Sequence, residues 1–110
     1  MSFIFIPNDF SYNEQGQLIV KGEIKNTLDY RTANLWVIKL EIFNENNDLI
    51  ASNCFGYIYV ELRFDPLSSH DATFVFPSIT VSIKDDDLDK IKAVIETSSS
   101  VEYYDSFIVE

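Results

Sequence analysis

The stretch Asn34–Asn44, which reads Asn-Leu-Trp-Val-Ile-Lys-Leu-Glu-Ile-Phe-Asn, constrains the fold of this chain more than any other. Alternate residues on one side of it are large and apolar: Trp36, Ile38, Leu40 and Ile42. The other side carries Lys39 and Glu41. This period of two is typical of a β-strand with one buried face and one face towards solvent. Because three further apolar residues lie on the second face, we expect a central strand with neighbours on both edges and a second sheet packed over it.

The remainder of the chain alternates between short apolar runs and polar turns. Asn13–Gly16 and Asn44–Asp48 are predicted to close two hairpins, and Thr27–Ala33 is predicted to be a loop. Ser82–Ile91 is the one predicted helix, because acids crowd its first turn and lysine comes late. Phe3–Ile6 is predicted to be an edge strand or a tie to the sheet margin. The other predicted strands are Phe10–Tyr12, Gln17–Asn26, Asn34–Asn44, Leu49–Phe55, Tyr57–Phe64, Ala72–Phe76, Ile91–Thr97 and Val101–Val109. About eight strands with one short helix indicate an all-β, antiparallel β-sandwich.

Size and glycine placement add detail to this fold. At 110 residues the chain is expected to form a single β-sandwich domain, residues 1–110, which is large enough to bury a core without disulfides or metals. Gly22 falls on the apolar face of its strand, where a side chain would normally pack. We therefore expect a large neighbouring ring, such as that of Trp36, to approach the backbone there.

Charge and cysteine content bear on partners and location. The formal net charge is -10, which argues against nucleic acid or an anionic membrane as a partner and favours a basic protein. The single cysteine, Cys54, lies in an apolar strand, so we expect a buried, reduced thiol. The N-terminus shows no basic region and only a short apolar run before Pro7, unlike a signal peptide. These features predict a cytoplasmic protein.

The sequence contains no recognisable catalytic, cofactor or metal motif. His70 is the only histidine, so a histidine-paired nucleophile or a multi-histidine metal site is not indicated. Cys54 has no evident activating base, and there is no glycine-rich phosphate loop. The run Asp85–Asp89 lacks the alternating ligands, glycine and distal glutamate of a calcium-binding loop. We therefore predict a protein that is not an enzyme and has neither catalytic nor metal residues nor a cofactor.

Acidic and tyrosine residues gather in the second half of the chain and suggest a surface for a protein partner. Tyrosine supplies contact area at low entropic cost, and carboxylates supply steering and charge-assisted hydrogen bonds. The candidate partner-binding residues are Asp85, Asp86, Asp87, Asp89, Glu102, Tyr103, Tyr104 and Asp105, with Tyr57 and Tyr59 as a second surface. Two alternatives to partner binding remain open. The carboxylates of the run Asp85–Asp89 could lie in solvent at a helix N-terminus, where they interact favourably with the helix dipole, and the tyrosines could pack on neighbouring strands.

A longer pattern resembles a known family. It comprises Val20-x-Gly22-x-Ile24-x-Asn26, then Ile42-Phe43-Asn44 before a polar turn and Leu49-Ile50, and finally Pro66 and Ser69 before Phe74. This pattern is similar to the bacterial FxLYD family and to related immunoglobulin-like sandwich modules, over Leu18–Phe76. The resemblance implies an antiparallel immunoglobulin-like β-sandwich that serves as an interaction or scaffold module, with no catalytic residues.

Two functions are consistent with these observations. The first is an acidic inhibitor, of the immunity-protein or antitoxin kind, that binds and neutralises a basic nuclease toxin; its acids would imitate a nucleic-acid phosphate track. The alternative is an FxLYD-like structural or assembly module of the bacterial cell envelope. The N-terminus, which does not resemble a leader, and the expectation of a single domain favour the inhibitor. The oligomeric state is not indicated.

Overall fold

The computed structural model describes residues 3–29, 32–35, 37–56, 62–79, 92–98 and 105–109. These residues form ten strands and no helix. The strands are β1 (Phe3–Tyr12), β2 (Leu18–Asn26), β3 (Thr32–Leu35), β4 (Val37–Phe43), β5 (Leu49–Gly56), β6 (Leu62–Phe64), β7 (Ser69–Phe76), β8 (Lys92–Ser98), β9 (Asp105–Ser106) and β10 (Ile108–Val109). The predicted helix Ser82–Ile91 lies outside the described residues.

The strands form two four-stranded sheets, which confirms the predicted all-β sandwich. The first sheet has the order β1-β2-β7-β10 and the second the order β8-β4-β5-β9, while β3 and β6 form a separate pair. One pair departs from the antiparallel expectation, because β9 runs parallel to β5.

The central-strand prediction is confirmed for Val37–Phe43, which form β4 and pair with β5 on one edge and with β8 on the other. The predicted strand began too early, because Asn34 and Leu35 belong to β3, which pairs with β6. Ile38, Leu40 and Ile42 are fully buried, and Lys39 between them is exposed. The alternation seen in the sequence is therefore the alternation between the core and the outer face. The position of Trp36, the first apolar residue of the predicted series, lies outside the described residues.

Several predicted boundaries are wrong. Phe3–Ile6 and Phe10–Tyr12 belong to one strand, β1, which continues through Pro7 with a register shift between Pro7 and Asp9. An edge strand tolerates proline because one side of its backbone needs no hydrogen-bonded partner. The predicted loop Thr27–Ala33 overlaps the start of β3, because pairing with β6 extends that segment. The predicted strand Val101–Val109 is present in its described part as the two short strands β9 and β10.

Both predicted hairpin turns are confirmed, and they share one geometry. In each turn, the side-chain Oδ1 of the first asparagine accepts hydrogen bonds from the backbone N–H groups two and four residues later. Gln15 and Gln17 donate to Asn13 in the first turn, and the equivalent residues donate to Asn44 in the second. The fourth residue has a positive φ, 78° at Gly16 and 65° at Asn47. Glycine and asparagine tolerate this left-handed conformation better than other residues do.

Phenylalanine rings fill the space between the sheets. The ring of Phe55 on β5 packs edge-to-face against the rings of Phe74 and Phe76. The distances between ring centroids are 4.9 Å to Phe74 and 5.2 Å to Phe76. These contacts join the two sheets, since β5 and β7 belong to different ones. Gly22 is buried as predicted, but the ring that approaches it belongs to Phe5, whose Cζ would lie 2.7 Å from an added Cβ.

Candidate functional site

One of the predicted partner-binding residues, Asp105, lies in the described part of the chain. Its side chain is exposed. The remaining nine lie outside the described residues, so the acidic and tyrosine surfaces that they define stay predictions. These residues are Asp85, Asp86, Asp87, Asp89, Glu102, Tyr103, Tyr104, Tyr57 and Tyr59.

Asp105 is positioned by the edge of the second sheet. It begins β9, which pairs in parallel with β5 so that Asp105 lies opposite Phe55 and Ser106 opposite Gly56. Its carboxylate Oδ2 accepts a hydrogen bond of 2.8 Å from the side-chain Nδ2 of Asn53. One carboxylate oxygen is thereby oriented by the protein, and the exposed group keeps further acceptor capacity for a donor on a partner.

Phe107 anchors this segment in the core. Its ring is 3% exposed and stacks on that of Phe74, with centroids 4.9 Å apart and planes at 18°. Its backbone N–H donates to the carbonyl of Gly56 at 3.3 Å. Ile108 and Val109 then pair with β7 of the first sheet. Residues 105–109, which we call the C-terminal clasp, therefore join the two sheets. Their strand pairings and the buried ring of Phe107 fix the backbone at Asp105.

A shallow groove of about 350 Å³ runs beside the C-terminal clasp. Its lining residues are Gln17, Thr73, Val75, Pro77, Asp105, Ser106, Phe107 and Ile108. Ile108 is 62% exposed and Val75 36%, so the groove presents apolar side chains to solvent beside one carboxylate. None of these lining residues is basic. A mixture of exposed apolar area and oriented polar groups is suited to contact with another protein.

Sequence reasoning missed the apolar part of this groove. Val75 falls on the opposite parity from the core residues Phe74 and Phe76, which was a signal that it faces outwards. Ile108 follows the buried Phe107 and also takes the outer face. The pairing of Ile108 with Thr73, which brings the two apolar side chains to one surface, joins residues far apart in sequence and has no local signature.

The two reactive side chains that the sequence offers lie on different sheets. Cys54, on β5, is only half-buried, so the expectation of a buried thiol is wrong. The register places Cys54 opposite the exposed Lys39, on the outer face of the second sheet. His70, on β7, packs its ring edge-to-face against Phe64 with centroids 4.8 Å apart. Within the described ranges no three histidine, cysteine or acidic residues are grouped so that they could hold a metal ion.

Comparisons with family models, with curated proteins and with solved structures found no match to this chain. The resemblance to the FxLYD family therefore stays a prediction. In the part of the chain that the structure describes, no helix has the length and hydropathy needed to cross a membrane.

Proposed function

We propose that this chain is a non-enzymatic, protein-binding inhibitor of the immunity-protein or antitoxin kind, which binds and neutralises a basic nuclease toxin in the bacterial cytoplasm. The observation that carries this proposal is an oriented carboxylate, Asp105, at the rim of an exposed apolar groove in a protein of net charge -10. Apolar area supplies affinity, and acidic groups accelerate the encounter with a basic surface.

The predicted acidic residues fit the same mechanism. Asp85, Asp86, Asp87, Asp89 and Glu102 are expected to extend the negative field around Asp105, and a nuclease that binds phosphates offers the complementary cations. The tyrosines Tyr103, Tyr104, Tyr57 and Tyr59 would add aromatic contacts. The groove is built on paired strands and a buried ring, so the C-terminal clasp needs little rearrangement when it binds.

The test uses purified basic nuclease toxin domains, beginning with any that is encoded beside the gene for this chain. We expect a stoichiometric amount of the protein to abolish nuclease activity, and we expect association to slow as salt rises, because charges are screened over about 10 Å at 0.1 M. Asp105→Asn should slow association several-fold at low salt. The control, Glu45→Gln, removes one charge from the exposed turn between β4 and β5, at the opposite end of β5 from the residues that pair with Asp105 and Ser106, and should have a smaller effect.

A second variant examines the predicted acidic run. Replacing Asp85, Asp86 and Asp87 together by asparagine keeps side chains that can cap a helix and removes three charges. Its association rate should fall further than that of either single variant. If the protein inhibits no nuclease in the set, the inhibitor hypothesis is refuted and the envelope module is favoured. The same holds if association is independent of salt and unchanged in all variants.

A further inference from the structure

Strand β7 has neighbours on both edges over only part of its length. Ala72 and Thr73 lie between β2 on one side and β10 on the other. Val75 and Phe76, further along the strand, pair with β2 but with no other strand of the described residues. The edge of β7 that faces away from β2 is therefore open at these two residues.

The path of the C-terminal clasp leaves this edge open. Ile108 lies opposite Thr73, so a straight continuation of β10 would run beside the rest of β7. The clasp instead crosses to the second sheet at Phe107, whose N–H donates to the carbonyl of Gly56 on β5 at 3.3 Å. The groove of about 350 Å³ lies in the position that a continued β10 would have filled, and it is lined by Val75 and by the clasp.

The open edge offers backbone hydrogen-bonding groups to the groove. In an antiparallel ladder, successive residues direct their N–H and C=O groups to opposite edges. One residue of the pair Val75 and Phe76 therefore directs both of its groups to the groove. Pro77 follows, and because proline has no N–H it limits the open edge to these residues. Unpaired groups on a strand edge are a template for a strand of another chain.

Two exposed apolar side chains flank the vacant strand position. Val75 and Ile108 both lie on the outer face of the first sheet. A residue placed opposite Val75 would stand two positions from Ile108 in the same strand line, and side chains two positions apart share a face. Its side chain would contact Val75 across the pair and Ile108 beside it. An apolar side chain fits this position.

We propose that the protein partner places an extended segment in this groove, where the segment pairs with the open edge of β7 as an added strand and sets one apolar side chain against Val75 and Ile108. Strand addition supplies affinity through main-chain hydrogen bonds and specificity through alternate side chains. The inference specifies how the partner binds the groove, and the identity of that partner as a nuclease toxin rests on the function proposed above.

The first experiment measures the binding of the full chain to the same purified basic nuclease domains by surface plasmon resonance, with urea unfolding to check that each variant is folded. Val75→Ala and Ile108→Ala should each weaken binding about fivefold or more. The matched control is Ile6→Ala, which removes an exposed apolar side chain, 42% exposed, from β1 at the opposite edge of the same sheet. Its affinity should stay within about twofold of the wild type.

The second experiment distinguishes strand addition from contact between side chains alone. In NMR spectra of the isotope-labelled chain bound to unlabelled nuclease, the backbone amide that faces the groove, at Val75 or Phe76, should exchange with solvent at least about tenfold more slowly than in the free chain. The same amide should show nuclear Overhauser effects to α-protons of the nuclease, because paired strands bring their backbones together. Exchange in β1 should not change.

The outcomes separate this inference from the proposed function. If a nuclease binds the wild-type chain but both groove variants bind equally well, strand addition is refuted and the inhibitor stands. Unchanged amide exchange at both Val75 and Phe76 in the complex would also refute strand addition. If no nuclease binds the wild type, the proposed function fails and this inference fails with it.

Discussion

Truncating Phe107 tests how the C-terminal clasp is held. The substitution Phe107→Ala removes a ring that is 3% exposed and stacked on Phe74. Burial of a phenylalanine side chain contributes about 1.5–3 kcal/mol, and an aromatic pair adds about 0.5–1.5 kcal/mol. With the cavity left behind, the sum approaches the range of about 3–5 kcal/mol measured for buried phenylalanine truncations.

The expected loss lies at the lower end of this range, at about 3 kcal/mol, because the clasp has a route of relaxation. Ordering the backbone of each of its residues costs about 1–2 kcal/mol in conformational entropy. Without the ring, the two short pairings of β9 and β10 are too few to offset that cost, so the segment is expected to detach while the sheets remain folded. Detachment returns entropy to the chain and limits the loss.

Two measurements test the effect of Phe107→Ala. Urea unfolding gives the difference in stability, and amide hydrogen exchange should show faster exchange at Phe107 and Ile108 than in β2 or β4. The control is Ile108→Ala on the same clasp, which removes a side chain that is 62% exposed and should change stability by less than about 0.5 kcal/mol. A loss below about 1 kcal/mol for Phe107→Ala, or one equal to that of Ile108→Ala, would show that the ring does not anchor the clasp.

Two further substitutions test the core and the buried polar contact. Leu40→Ala, at a fully buried position of β4, should lower the free energy of unfolding by about 2–5 kcal/mol in urea titration; a loss below about 1 kcal/mol would contradict the central strand. Asn26→Ala removes the Oδ1 that accepts from the N–H of Leu28, and it removes the Nδ2 donor to the carbonyl of Asp65, which keeps its hydrogen bonds from Ser68; the loss of these buried contacts should cost about 2–3 kcal/mol. Asn53→Ala removes an exposed hydrogen bond instead and should cost less than about 1 kcal/mol, so similar losses for the two asparagines would refute the role of burial.

Much of the fold was predictable because its signals are local. The period of two across β4 predicted which residues are buried, since side chains on a strand alternate between faces. The turns at Asn13 and Asn44 were predictable because asparagine, aspartate and glycine favour turns, and each turn offers glycine or asparagine at the position that takes a positive φ. The inward position of Gly22 followed from the same parity.

The parts that were missed depend on contacts between distant segments. The exposure of Cys54 is decided by the register of β5 against β4, and a shift of one residue would reverse its face. The ring beside Gly22 belongs to Phe5 because β1 is the strand that pairs with β2 there. Neither fact can be read from the sequence around the residue concerned.

The candidate site shows the same division. The sequence by itself determined the excess of acids, the acidic residues near the C-terminus and the outward parity of Val75. Only the tertiary structure decided that Asp105 lies at the rim of a groove, because its position depends on pairing with β5 and on the stacking of Phe107 against Phe74. It also decided that Leu67, in a turn with no glycine, takes a left-handed conformation. Such contacts form between residues far apart in the chain, and their free energy comes from packing that no local pattern encodes.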